Sequence, residues 1–238
     1  LIVVFSVFCV NAASPDEIEA LRGSTLYVYN WGEYISDGAD GTLDVNKAFE
    51  EKYGIDARTV YAGDLCPDHA EVMIITDAIK WAESIQADLL IVESAGLCLR
   101  CSPYLNQGLG VVVLSMLSGL HSVDKMKQLI CFADVALLTM NDLVCQAERE
   151  VYIKKIKSSF DTLKVIETNA LQGIAIEYLC NLIDESKPIE IESLELKGNP
   201  PLGTCSICMG SKKVGWKNHY GVVRELDSNC TDYMYRGD

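Results

Sequence analysis

Two cysteine pairs carry the clearest chemistry in this chain: Cys98 and Cys101 in LCLRCSPY, and Cys205 and Cys208 in GTCSICMG. A Cys-x-x-Cys spacing lets two thiolates reach one ion, and thiolates are soft ligands suited to zinc, nickel, copper(I) or an iron–sulfur cluster. Cys66 and His69, in GDLCPDH, offer a further thiolate and an imidazole from an earlier loop, and His219 and Cys230 follow the second pair. Two pairs together have the ligand count of one four-sulfur site, within a subunit or between two. The same spacing also serves free or redox-active thiols.

Carboxylates form the second group. Glu93 closes the apolar run DLLIVE (88–93), and Asp142 follows the run DVALLT (134–139). A carboxylate at a strand end suits Mg²⁺, which wants hard oxygen ligands and keeps several waters; the alternative for Glu93 is a solvated strand end. Asp142 precedes a helical stretch beginning at Leu143, where an aspartate also serves as an N-cap.

These residues need elements to hold them. Apolar runs of strand length occur at 88–93, 110–115 (GVVVLS), 134–139 and, more weakly, 163–167 (LKVIE). Helical stretches at 70–84, 123–131, 143–157 and 171–183 lie among them; the last has Leu171, Ile174, Ala175, Tyr178, Leu179 and Ile183 on one stripe. Near-continuous hydrophobic strands alternating with helices predict a three-layer α/β fold with a mainly parallel sheet covered on both faces and right-handed crossovers. Open sheets of this kind bind ligands at the carboxyl ends of their strands, here residues 93–96, 115–119, 139–142 and 168–170.

Composition narrows the partners. The 238 residues suffice for one full core or one and a half domains. With 49% hydrophobic and 23% charged residues the chain is ordinary globular. A formal charge of 20 − 34 = −14 opposes nucleic acid and anionic lipid and favours metal cations or basic proteins. Ten cysteines without dense, regular spacing read as reducing-compartment usage. Cys131, Cys145 and Cys180 fall in apolar patterns and are expected as buried thiols.

The amino-terminal part differs. Residues 1–13 (LIVVFSVFCVNAA) look like the end of a secretory h-region and its cleavage site, or else a buried first strand, and are too few to span a bilayer. TLYVY (25–29) predicts a strand, and residues 45–53 a short helix closed by Gly54. LYVYNWGEYIS (26–36) followed by EEKYG (50–54) resembles the periplasmic spermidine- and putrescine-binding proteins. That resemblance implies a cleft lined by Trp31 and Tyr34 and an exported, periplasmic location, and it stops near residue 56.

From residue 60 to about 185, DLLIVESAG, LCLRCSPY, GLGVVVLSMLSG, FADVALLTMNDL and VIETNALQG occur in the order found in metal-handling P-loop G proteins. The chain here resembles the CobW/HypB/UreG class of metallochaperones and metal-centre maturation proteins. The resemblance implies GTP and Mg²⁺ as cofactors, with Glu93 as the catalytic residue that orders magnesium or water. It also implies Asp142, Asn169 and Ala170 as the base-binding residues, and Cys98 and Cys101 as ligands of nickel or zinc. A metalloenzyme or maturation client, a homodimer and a cytoplasmic location come with it. Two departures bear on function. The guanine-specificity motif Asn-Lys-x-Asp is replaced by Thr139, Met140, Asn141 and Asp142, and no GxxxxGK[ST] sequence occurs. Without that loop's backbone donors and lysine, tight nucleotide binding and hydrolysis are not expected of this chain alone.

The expected organisation is a signal-like segment (1–13), a receptor-like piece (14–56), an incomplete GTPase-like core (57–190) and a small cysteine-containing appendage (191–238). A fragment of a polyamine receptor and a non-catalytic interaction protein of the same fold are the alternatives.

Overall fold

A computed structural model describes residues 28–29, 41–53, 67–84, 87, 89–92, 104–186, 188–198, 211–215 and 218. Two sets of parallel strands are present. β1 (Val28–Tyr29) pairs with β2 (Ile91–Val92), while β3 (Val111–Ser115), β4 (Val135–Thr139) and β5 (Lys164–Glu167) form a sheet in that order. Val111 faces Val135 and Ser115 faces Thr139, and β5 is registered so that Leu138 faces Glu167.

The helices are α1 (Val45–Tyr53), α2 (Pro67–Ser84), α3 (His121–Lys125), α4 (Lys127–Ile130), α5 (Gln146–Ser159) and α6 (Ile176–Asp184). Alternation along the strands decides which helix covers which face. Val112, Leu114, Ala136 and Leu138 point to one side and pack with Val123 of α3, Ile130 of α4 and Tyr152 and Ile156 of α5. Val111, Val135, Leu137 and Ile166 point to the other and pack with Leu179, Leu182 and Ile183 of α6. The chain is therefore a three-layer α/β fold with a parallel sheet, as its strand patterns predict.

Several boundaries depart from the pattern. The helix expected at 123–131 is broken at Met126, whose φ of −94° and ψ of 12° separate α3 from α4. The helix expected from Leu143 starts at Gln146, where Cys145 and Glu148 form a capping box. The stripe expected at 171–183 is interrupted: Ala170–Gln172 is a single 3-10 turn, Gly173 and Ala175 are left-handed, and α6 begins only at Ile176. Leu171 and Ile174 are consequently exposed. Cys131, Cys145 and Cys180 are exposed, not buried, because Cys131 ends α4, Cys145 caps α5 and Cys180 lies on the outer side of α6.

The described part of the carboxyl-terminal segment is built into the body and does not hang from it. Leu194, Leu196 and Val214 share a buried cluster with Val72, Ile75 and Ile79 of α2, Val92 of β2 and Leu105. Backbone bonds from Lys197 N to Tyr104 O (2.7 Å), Leu196 N to Lys212 O (2.8 Å) and Gly215 N to Val72 O (2.9 Å) fasten it. Asp134, at the start of β4, accepts from Gly110 N (2.9 Å) and pairs with Lys197. Gly110 allows this close approach, since a Cβ there would stand 2.8 Å from the Tyr104 ring.

One buried polar contact ties α3 to α5. Ser122 Oγ donates to Gly119 O (2.7 Å), which leaves the Tyr152 hydroxyl, 2.7 Å away, to donate to Ser122 Oγ. Burial pushes the Tyr152 phenol above its ordinary pKa. A raised folded-state pKa means that the contribution is whole below the unfolded value of about 10 and is lost as pH rises through the folded value. Tyr152→Phe is expected to cost about 1 kcal/mol at neutral pH in urea unfolding. Above about pH 10 the variant should lose stability less steeply than the parent.

Candidate functional site

The register of the three-stranded sheet brings three loops to one edge. Ser115, Thr139 and Glu167 end neighbouring parallel strands, and residues 116–120, 140–145 and 168–175 leave from those ends. Each of the three loops opens with a 3-10 turn: Met116–Ser118, Asn141–Leu143 and Ala170–Gln172.

The central loop is the most constrained. Met140 adopts φ 58°, ψ 29°, a left-handed conformation that costs a residue with a Cβ about 1–2 kcal/mol. The kink closes a turn in which Leu143 N donates to Met140 O (3.2 Å). Asn141 is thereby tucked in, at 8% exposure, while Asp142 is exposed at the tip. Asp142 is not the cap of α5: Cys145 and Glu148 fill that role, with Cys145 N donating to Glu148 Oε2 (3.1 Å).

On β5 the loop is held by its own bonds. Thr168 is buried; its amide donates to Leu138 O (2.9 Å) and its hydroxyl to Ile174 O (2.8 Å). Asn169 Oδ1 accepts from Gln172 N (3.2 Å), and Asn169 O accepts from Ile174 N (3.0 Å). Ala175 is left-handed at φ 64°, so the two non-glycine residues with positive φ among the described residues both lie on this edge. Arg149, in the second turn of α5, reaches Glu167 at 3.5 Å.

Three sequence-predicted site residues, Asp142, Asn169 and Ala170, are thus brought to adjoining strand ends. His69 lies in the first turn of α2. Glu93, Cys66, Cys98, Cys101, Cys205 and Cys208 lie outside the described residues, as do Trp31 and Tyr34. Among the described residues no three His, Cys, Asp or Glu side chains converge as a metal site. No helix among them is long and apolar enough to cross a membrane.

Asn141 is the residue that motif reading overlooked. Its signal is a carboxamide two positions beyond the central strand VALLT, a place where a buried polar group needs a partner. The edge combines that carboxamide with the Asp142 carboxylate and the Asn169–Ala170 turn, between apolar side chains. Such a set can grip the hydrogen-bonding edge of a planar ligand.

The dual reading of Asp142 and Asn169 can be separated by stability. Asn169→Ala removes a turn-capping acceptor and should cost about 1 kcal/mol. Asp142→Ala, at an exposed tip that caps nothing, should stay within about 0.5 kcal/mol of the parent in thermal unfolding.

No protein-family model matches the chain. Solved structures of similar outline include the hydrogenase maturation factor HypB from Archaeoglobus fulgidus, with a TM-score of 0.47, 18% identity, and coverage of 71% of this chain and 93% of that one. HypB from Helicobacter pylori in complex with nickel gives 0.46 and 14%, covering 71% of this chain and 79% of that one. At these values no residue role passes from them to this chain. The receptor-like reading of residues 26–54 finds no support among these matches. Uncharacterized protein MJ0120 of Methanocaldococcus jannaschii is 34% identical over 178 residues, covering 74% of this chain and 76% of that protein. The chain belongs to the same family as MJ0120.

Proposed function

We propose that this chain is a nucleotide-binding domain of the metal-handling G-protein type, with a purine base held at the carboxyl edge. The observation that carries the reading is the Met140 kink, which buries Asn141 and leaves Asp142 exposed past the end of β4, the neighbour in the sheet of β5, whose end leads into the Asn169–Ala170 turn. In this reading the Asp142 carboxylate accepts from ring N1–H and the exocyclic amine of guanine. Asn169 and Ala170 form the second wall. Backbone strain concentrated at one edge supports a ligand role, because folds tolerate such strain where it positions a site.

The two halves of a nucleotide fit unequally. A carboxylate and a carboxamide at a strand end suit the base. The phosphate half lacks a GxxxxGK[ST] loop, and Thr139 and Met140 stand where a guanine-specific site has Asn and Lys. Weak binding, modest guanine preference and no turnover by this chain alone follow. Glu93 is assigned to ordering Mg²⁺ or water.

For the metal, the donor chemistry fits a soft ion. Cys98 and Cys101, with Cys66 and His69 or with Cys205 and Cys208, would hold Zn²⁺, Ni²⁺ or an iron–sulfur cluster. The cargo would pass to a metalloenzyme or maturation client in a reducing, cytoplasmic setting, with pairing of two copies as one way to complete the ligand set.

Calorimetry with GDP and Mg²⁺ tests the base site. The parent should bind and Asp142→Ala should bind at least tenfold more weakly, about 1.4 kcal/mol; no heat with the parent at millimolar GDP contradicts the reading. Metal analysis of anaerobically purified protein tests the thiols. Near-stoichiometric metal in the parent and loss in the Cys98→Ser, Cys101→Ser double variant is expected. Equal sub-stoichiometric metal in both defeats the metal site.

A further inference from the structure

The edge that presents Asp142 also presents apolar side chains. Nine large apolar residues are exposed among the described residues, and six of them, Leu117, Leu120, Met140, Leu143, Leu171 and Ile174, sit on the three loops at the strand ends. Leu171 is 77% exposed, Leu143 61% and Leu117 56%. Single exposed leucines need no explanation, whereas a contiguous apolar patch marks an interaction surface. Neighbouring strands lie about 4.8 Å apart, so the three strand ends span only about 10 Å. Each 3-10 turn carries one of the three leucines and is closed by a backbone bond: Gly119 N to Met116 O, Leu143 N to Met140 O and Gly173 N to Ala170 O. The leucines are therefore held outward before any partner arrives, which lowers the ordering cost of binding.

Charge selects the occupant. Residues 115–121, 139–150 and 167–178 contain the carboxylates Asp142, Glu148, Glu150, Glu167 and Glu177 against one arginine, Arg149, which is engaged by Glu167. The helix crossing back from β4 to β5 carries its lysines, Lys154, Lys155 and Lys157, to the opposite edge, where β5 starts with Lys164. A second copy docked face to face would set these carboxylates against themselves. Nucleic acid and anionic lipid carry the same sign.

We infer that the carboxyl edge is a docking surface for a partner protein's segment that presents apolar side chains flanked by lysine or arginine. This deepens the proposed function by naming how a client is gripped, and rests on it only for calling the partner a client.

The probe is a labelled 18-residue amphipathic helix of leucine and lysine, with its leucine–glutamate counterpart as control, titrated with the full chain and read by fluorescence anisotropy. The lysine peptide should bind at least tenfold more tightly than the glutamate peptide. The triple variant Leu117→Ser, Leu143→Ser, Leu171→Ser should weaken it tenfold or more with melting temperature unchanged, and Glu177→Lys should weaken it with all leucines present. Equal binding by the triple variant overturns the inference, since net charge alone would then explain the signal. A dimer of the parent that the triple variant dissolves in sedimentation overturns it in favour of a second copy. A drop in the variant's melting temperature overturns it in favour of a segment of this chain lying on the patch. Loss of GDP binding in Asp142→Ala reports on the base site, and loss of peptide binding in Leu117→Ser, on the turn that makes no base contact in the proposed function, reports on this surface, so the two readings fail separately.

Discussion

Because Val135, Ala136, Leu137 and Leu138 are all buried, β4 must be covered on two faces and hydrogen-bonded along two edges, and both requirements propagate outward. Pairing in parallel on both sides forces crossover connections, which supply α3, α4 and α5 on one face and lead to α6 on the other. Parallel pairing also sends three chain exits to one edge. The position of the candidate site is a consequence of that single strand.

At this edge the chain departs from its own regularity. Among the described residues, the two left-handed non-glycine residues, Met140 and Ala175, and the three consecutive strand-end 3-10 turns all fall there. The opposite edge holds more conventional features, with the Asp134 carboxylate bridging Gly110 N and Lys197 and so binding the carboxyl-terminal segment to the sheet. One end of the sheet is thus stitched for stability. The other is strained, apolar and acidic, a combination that burial alone would not select.

The strands were legible because β-branched, apolar runs such as VVVLS and VALLT have few other uses, and their burial on both faces matched the expectation of a parallel sheet. Helix starts were less legible. Asp142 and Leu171 carried ordinary cap and stripe signals, yet backbone kinks at Met140 and Ala175 postponed both helices, and a left-handed methionine or alanine leaves no mark in the pattern. Cys131, Cys145 and Cys180 are exposed where their apolar neighbours suggest burial, because Cys131 ends α4, Cys145 caps α5 and Cys180 lies on the outer side of α6. Asp142, Asn169 and Ala170 were found through motif order, whereas Asn141 became visible only through its burial. The cysteine chemistry rests on spacing alone.

The most direct test of the central claim, that the carboxyl edge of this sheet holds a nucleotide base, is a map of amide chemical shifts in labelled protein as GDP and Mg²⁺ are added. The account predicts saturable shifts concentrated at residues 139–143 and 168–173, with the amides of Lys164 and Val165 at the opposite end of β5 unmoved. Shifts absent from those loops, or scattered evenly over the sheet, would contradict it.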